Sequence, residues 1–359
     1  MSQHSVIPFG PQHPVLPEPL QLRLELSDEK VISALPVIGY VHRGLERLAE
    51  QKDFIQDTYL IERVCGICSF IHSMTYCMGI EEMMEIAVPP RAKYLRTVWS
   101  ELHRMHSHLL ALGLLADAFG FENLFYSLWR IREEIMDAME ATTGGRVMLG
   151  SCCIGGVRKD ISPEQAKFVL EKLQNVERAL KRPAEVLTGD YTVKQRLVGV
   201  GVIDGKKAYE LGAVGPTLRG SGVLRDHRTT GYAAYGELDF EPVVEQDGDC
   251  YARTRVRIGE LHQSIALVRQ ALSKLPDSEL KTPFKGNPEG EVAVRAEQPR
   301  GEVLYYLRGN GTDKLERLRI RTPTFANIAP LLTMLVGCSL ADVAVIILSI
   351  DPCISCTER

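Results

Sequence analysis

Two Cys-x-x-Cys pairs stand almost a whole chain apart, Cys65-Gly-Ile-Cys68 and Cys353-Ile-Ser-Cys356. Within each pair the sulfurs can chelate one ion from a single turn. Gly66 removes a side chain where the backbone bends tightly. Pro352 fixes φ ahead of Cys353 and turns Asp351 away from helix. If the pairs act together, the fold must bring distant segments to one point, a closure whose entropy only a packed structure offsets. Three chemistries compete for such thiols. A structural tetrathiolate zinc site is the commonest meaning of two pairs, although its pairs usually lie close in sequence. A redox pair of thioredoxin type needs a βαβ unit beside it, and neither pair has one. The third is a soft four-thiolate site for a redox metal. Spacing alone leaves zinc and a redox metal level.

The rest of the chain narrows the setting. Its 359 residues, 45% hydrophobic and 25% charged, suffice for one large core or two modest ones. A formal net charge of -4 gives no basic footprint and argues against a nucleic-acid partner. Residues 1–10 lack a signal-peptide pattern, so a cytosolic chain with thiols or metal ligands is expected rather than a disulfide framework. Cys77, Cys152, Cys153, Cys250 and Cys338 lack chelating spacing and read as small core residues. Residues 328–350 are apolar enough for a membrane span by length. Gly337, Ser339, Asp342 and Ser349 interrupt them and no positive cluster flanks them, so a buried helix followed by a strand is expected.

Patterning predicts strands within 20–40 around a turn at Asp28-Glu29, then helical periodicity over 45–64. Long helices are expected at about 91–118, 123–141 and 162–182, the last starting at Ser162 as N-cap and stopping before Pro183. Residues 190–255 look irregular. A helix over 255–275, strands near 291–297 and 302–308, and a helix near 325–340 complete the chain. With no repeat and no flexible linker, this reads as one domain over 1–359. It comprises an N-terminal β region at about 5–42, a helical core at about 44–190, the irregular segment, and a C-terminal helix-and-strand region. The fold class is mainly α with small β-sheets (α+β), a long-helix bundle with sheets at its edges. His103, His106 and His108 are spaced by three and five residues and cannot all share one helix face. His108 reads as packed or polar-satisfied, the other two as exposed.

The residues around the pairs, Arg63-Val-Cys-Gly-Ile-Cys-Ser-Phe-Ile-His72 and Asp351-Pro-Cys-Ile-Ser-Cys-Thr-Glu-Arg359, resemble the large subunit of [NiFe] hydrogenases over essentially the full chain. The short length points to the membrane-bound, energy-converting branch of the Ech type. So do Gly10-Pro-Gln-His-Pro14, Gly39-Tyr-Val-His-Arg-Gly44, Ser107-His-Leu-Leu110 and Gly155-Gly-Val-Arg158. The same motifs resemble the 49-kDa-like, quinone-site subunit of respiratory complex I, which lacks the full thiolate set.

The resemblance implies a Ni–Fe centre with CO and cyanide on the iron, interconverting H2 with protons and electrons. Cys65 and Cys353 would be terminal nickel ligands, and Cys68 and Cys356 would bridge nickel and iron. Arg300, in Gln298-Pro-Arg-Gly301, would be the counter-charge over an anionic cluster, since an arginine stays protonated when buried. Glu18 matches the carboxylate beside a terminal thiolate and would carry protons. His72, one helical turn after Cys68, would tune that sulfur by a hydrogen bond. Glu46 matches a ligand of a Mg2+ or Fe2+ ion near the C-terminal end, but Arg359 stands where the family usually has a histidine. A Glu46–arginine pair without an ion is the alternative. No Fe–S ligand set remains in this chain. The resemblance therefore implies a small subunit with a [4Fe-4S] cluster, a ferredoxin-type carrier beyond it, and integral membrane ion-translocating partners. That would place the chain on the cytoplasmic face of the membrane.

Overall fold

The computed structural model of the protein describes residues 4–359. The first sheet is an antiparallel meander of β1 (His4–Phe9), β2 (Gln21–Ser27) and β3 (Lys30–Val37). In β2 the alternation puts Leu22, Leu24 and Leu26 inside and Arg23 and Glu25 out. The expected turn at Asp28-Glu29 joins β2 to β3, with Ser27 paired to Lys30.

The periodicity over 45–64 is not one helix. It divides into α1 (Leu45–Ala49) and α2 (Asp57–Glu62), and the chain reaches Cys65 through a turn. α3 (Ser69–Met83) starts directly after Cys68. α4 (Pro90–Ala118) follows extended Pro89, and from Ala92 to Ala116 nearly every side chain is buried. A helix buried all round is the axis of a bundle rather than its surface. α5 (Glu122–Thr143) ends on left-handed Gly144. β4 (Cys152–Cys153) and β5 (Gly156–Val157) make a minimal hairpin.

α6 (Pro163–Gly189) begins with the Ser162–Gln165 capping box but runs on through Pro183. The expected stop is overridden because Val169, Leu173, Val176, Leu180, Pro183 and Leu187 form one buried stripe at alternating steps of four and three. Burial of that stripe outweighs the roughly 3 kcal/mol penalty of an internal proline.

The segment expected to be irregular carries α7 (Tyr191–Leu197), α8 (Gly205–Glu210) and α9 (Gly215–Arg219), the first two capped by Asp190 and Asp204. α10 (Cys250–Ser273) starts earlier than expected because Asp249 caps it at the Ala252 N–H. The second antiparallel sheet joins β6 (Glu289–Gln298), β7 (Gly301–Asn310) and β8 (Leu315–Arg321), of which β8 was not expected. Leu318 and Ile320 alternate inward, and Leu315 also faces in because the β7–β8 register shifts between Leu315 and Arg317.

After α11 (Pro323–Leu335) the chain turns at left-handed Gly337 and enters α12 (Val343–Ser349), where a strand was expected. A short apolar run cannot by itself distinguish a strand from a buried helix. Here α12 packs against α4, α10 and α11, which covers the β-branched side chains on several sides. α13 (Ile354–Glu358) ends the described chain. Among the described residues no helix is long and apolar enough to cross a membrane. The five additional cysteines fit the expectation of core packing, with Cys338 half-exposed.

Candidate metal centre

Two segments 288 residues apart meet. Cys65 Sγ lies 3.3 Å from Cys353 Sγ, and Cys68 Sγ lies 3.8 Å from Cys356 Sγ. All four side chains are buried, and the sulfurs of Cys65, Cys68 and Cys356 lie within 4.8 Å of one another. The first pair is held by the turn into α3, where the Ile67 N–H donates to Cys65 Sγ at 3.2 Å. The second is held from outside. The Cys353 N–H donates to Thr324 Oγ1 at 3.1 Å, and the Thr322 hydroxyl donates to the Cys356 carbonyl at 3.0 Å. Asp351, just ahead of the pair, has φ of 54°, a left-handed conformation costly for a residue other than glycine.

The electrostatics of the four sulfurs follow from their crowding. Hydrogen bonds from Cys353, Cys356 and Cys68 hold the Cys65 thiol well below its ordinary value. Burial pushes Cys68 and Cys356 well above theirs, and Cys353 is also raised in spite of its contact with Cys356. A cation of high charge is what would hold all four deprotonated, and soft sulfur donors suit nickel, iron or zinc.

Arg300 is buried beside this pocket. Its Nε donates to the Asp351 carbonyl at 2.7 Å and one terminal nitrogen to Asp351 Oδ1 at 2.9 Å. The other terminal nitrogen is buried without a partner. Burial disfavours the charge, but Asp351 and the sulfurs of Cys353, Cys65 and Cys68 hold the guanidinium firmly protonated. The Arg300 backbone is fixed by close approach: a Cβ on Gly215 would stand 2.3 Å from the Arg300 carbonyl, so glycine is required there. Arg104 braces the same turn, donating to the carbonyls of Gln298 and Glu297 at 3.2 and 2.8 Å. Arg219 ties Glu297 to Glu260 on α10, at 2.8 and 2.7 Å.

Glu18 sits at the second pair. Its carboxylate accepts from the N–H groups of Ile354 and Ser355 and from the Ser355 hydroxyl, directly after Cys353. It also lines an open cavity of about 480 Å3 formed by the loop between β1 and β2. His72 is at the centre but serves a different sulfur from the one expected. Its Nε2 lies 3.4 Å from Cys356 Sγ rather than meeting Cys68, because Tyr305 holds Nδ1 at 2.6 Å and turns the ring across to the opposite loop. Burial lowers the His72 value to about 4, so the ring is neutral. Tyr305 stays a phenol, its value raised by burial. If its O–H donates to Nδ1, the single ring proton sits on Nε2, aimed at the sulfur.

Glu46 lies apart from the sulfurs. Oε1 accepts from Arg359 Nε at 3.0 Å and from the Ile320 N–H at 2.9 Å, and Oε2 accepts from Arg319 at 2.8 Å. The expected exposure of His103 and His106 is wrong, for both are buried. α4 is enclosed by α3, α5, α10 and α12, so no face of it is open to solvent at these positions. His108 is polar-satisfied as expected, with Nε2 2.8 Å from Glu260.

Sequence reasoning missed Arg43. Its guanidinium donates to the carbonyls of Arg63 and Val64 before the first pair and of Ser355 within the second, at 2.8, 2.8 and 3.0 Å. Its signal was the Gly39–Gly44 motif, which carried no assigned role.

Two family models match the chain. One describes the respiratory-chain NADH dehydrogenase 49 Kd subunit and matches residues 119–287 and 280–359. The other describes nickel-dependent hydrogenase and matches residues 43–116, which include Cys65 and Cys68. The chain is 41% identical to the membrane-bound hydrogenase subunit alpha of Pyrococcus furiosus, over 98% of this chain and 87% of that one. It is 40% identical to the carbon monoxide-induced hydrogenase of Rhodospirillum rubrum, over 98% and 99%. It is also 34% identical to an NADH-quinone oxidoreductase subunit of Chloroherpeton thalassium, over 98% and 87%.

Proposed function

Because the chain belongs to the family that joins the large subunits of energy-converting, membrane-bound hydrogenases to the complex I 49-kDa subunit, we propose that it catalyses 2H+ + 2e− ⇌ H2 as a [NiFe] hydrogenase subunit. The single observation that carries this reading is the convergence of four buried sulfurs, drawn from two segments 288 residues apart, beside a buried arginine. Cys65 and Cys353 would hold nickel terminally, and Cys68 and Cys356 would hold nickel and iron together. When bound, the metals, with CO and cyanide on the iron, supply heterolytic cleavage of H2 and take up its two electrons.

The chain's own residues do the rest. Arg300 offsets the negative charge that four thiolates leave on the cluster, and its free N–H is a donor toward that charge. Cys353 accepts a proton at sulfur and passes it toward Glu18, whose carboxylate binds the N–H of the very next residue and faces the open loop cavity. His72 and Tyr305 form a positioning relay that donates to Cys356 and fixes its orientation. Nothing in the four-thiolate set is left over for an Fe–S cluster. Electrons would therefore leave through a small subunit with a [4Fe-4S] cluster, reach a ferredoxin-type carrier, and drive ion-translocating membrane subunits on whose cytoplasmic side this chain sits.

Metal and infrared analysis of the purified complex tests the proposal. Nickel stoichiometric with this chain, together with CO and cyanide stretching bands, is the expected result; zinc alone would end it. The long match to the 49-kDa model favours one alternative, a complex I-like quinone-site subunit that kept its cysteines. That reading expects quinone reduction without H2/D+ exchange.

A further inference from the structure

The corner around Glu46 has the donors of a cation site and the charge of a finished ion pair. Both Glu46 oxygens are taken, by Arg359, Arg319 and the Ile320 N–H. Burial alone would raise the Glu46 carboxyl, but these three donors hold it below its ordinary value. The Arg359 guanidinium also donates to the Thr357 carbonyl at 2.7 Å and lies 5.3 Å from the centre of the Phe325 ring. His42 binds the Glu358 carbonyl, and the Val41 N–H binds the Glu358 carboxylate, whose other oxygen is buried without a partner.

Charge decides what the corner can hold. Glu46 and Glu358 carry two negative charges, and Arg319 and Arg359 carry two positive ones. The charges of these four side chains already cancel, so they leave no negative charge to balance a divalent ion in this half-buried cavity of about 250 Å3. The residues present do not fit the Mg2+ or Fe2+ ion that the family resemblance suggests. We propose that the Arg359 guanidinium, seconded by Arg319, stands in place of that ion and is itself the cationic strut between α1 and the segment bearing Cys353 and Cys356. A planar guanidinium can bridge a carboxylate and a carbonyl as a metal does, but it is covalently attached and cannot be chelated away. The strut acts at this corner alone and is independent of nickel–iron chemistry.

Equilibrium dialysis of the purified complex against Mn2+, after treatment with a chelator, tests it. The wild type should bind no more Mn2+ than the Glu46→Gln variant, and chelator should not loosen residues 353–358 in hydrogen exchange. Arg359→His removes the strut and supplies a ligand, so it should gain stoichiometric Mn2+, which the Arg359→His/Glu46→Gln double variant should lose. Wild-type binding of Mn2+ that Glu46→Gln abolishes would overturn the proposal, as would an assembled Arg359→His complex that gains none. Should Arg359→His fail to assemble, the comparison of wild type with Glu46→Gln still decides. Failure of the hydrogenase reading would show as absent nickel and leave these Mn2+ results unchanged.

Discussion

Cys65 and Cys68 lie on a turn that leads straight into α3, whose buried residues lock it into the core; Cys353 and Cys356 lie on extended chain and a five-residue helix. The first pair owes its geometry to its own neighbourhood. The second owes it to residues on other segments: Glu18 holds the Ile354 and Ser355 N–H groups, and Arg43, Thr322 and Thr324 each hold one more of its backbone groups. So one half of the centre is scaffold, and the other is a tail fastened onto it by hydrogen bonds, of which those of Glu18 and Arg43 are charge-assisted. Such bonds contribute roughly 1.5–3 kcal/mol each but are not additive. The tail half should therefore be the one that metal, proton and mutation move.

The largest test abolishes the symmetry of the ligands. Cys68→Ser and Cys356→Ser each remove a sulfur proposed to bridge, and both nickel content and H2/D+ exchange should fall to background in both. Hydrogen exchange should separate them. Loss of Cys356 should expose residues 353–358, whereas loss of Cys68 should leave α3 protected.

Next in size is Glu18→Gln. The amide keeps an acceptor for the Ile354 and Ser355 N–H groups, so the tail should stay fastened and nickel should be retained. Only the ability to carry a proton is lost. H2/D+ exchange should fall by about a hundredfold or more, the range typical for removal of a positioned acid–base group. Unchanged exchange would remove Glu18 from the proton route.

Arg43→Ala probes the fastening itself. It removes three bonds that tie the first loop to the second, and because Arg43 is exposed the cost should be about 1 kcal/mol. Amide exchange at 353–358 should accelerate while α3 changes little. Equal acceleration in both would mean that the two halves are held alike.

What was legible beforehand follows the same divide. The four cysteines were legible as two pairs, and Arg300 and Glu18 through the family resemblance of their short motifs; the structure brings all of them to one place. Arg43, Tyr305 and Thr324 were invisible because their roles exist only once separate segments, from 29 to 312 residues apart, are packed together. His72 was assigned to the wrong sulfur because helix spacing gives reach without direction, and Tyr305 supplies the direction. Among elements, α12 read as a strand because β-branched residues say that a segment is buried, not how its backbone is bonded. α6 read as broken at Pro183 because a local rule was applied where a buried stripe overrode it.

The smallest effect tests whether the scaffold half responds to pH. His103 is buried on α4, and burial lowers its value to about 4 from an ordinary 6.5. The folded chain then binds fewer protons than the unfolded one between about pH 4 and pH 6.5. Its contribution to stability is complete above pH 6.5 and declines as pH falls toward 4, by at most about 1.4 kcal/mol per unit. Protection factors across α4 in the intact complex, which correct for the slower intrinsic exchange in acid, should fall from pH 7 to pH 5, and His103→Phe should flatten that dependence. The aromatic ring keeps most of the volume against Phe70, so packing changes little while the titrating group is gone. If His103→Phe leaves the pH slope intact, the acid sensitivity lies elsewhere, first of all in His106, whose value burial and Arg132 also lower.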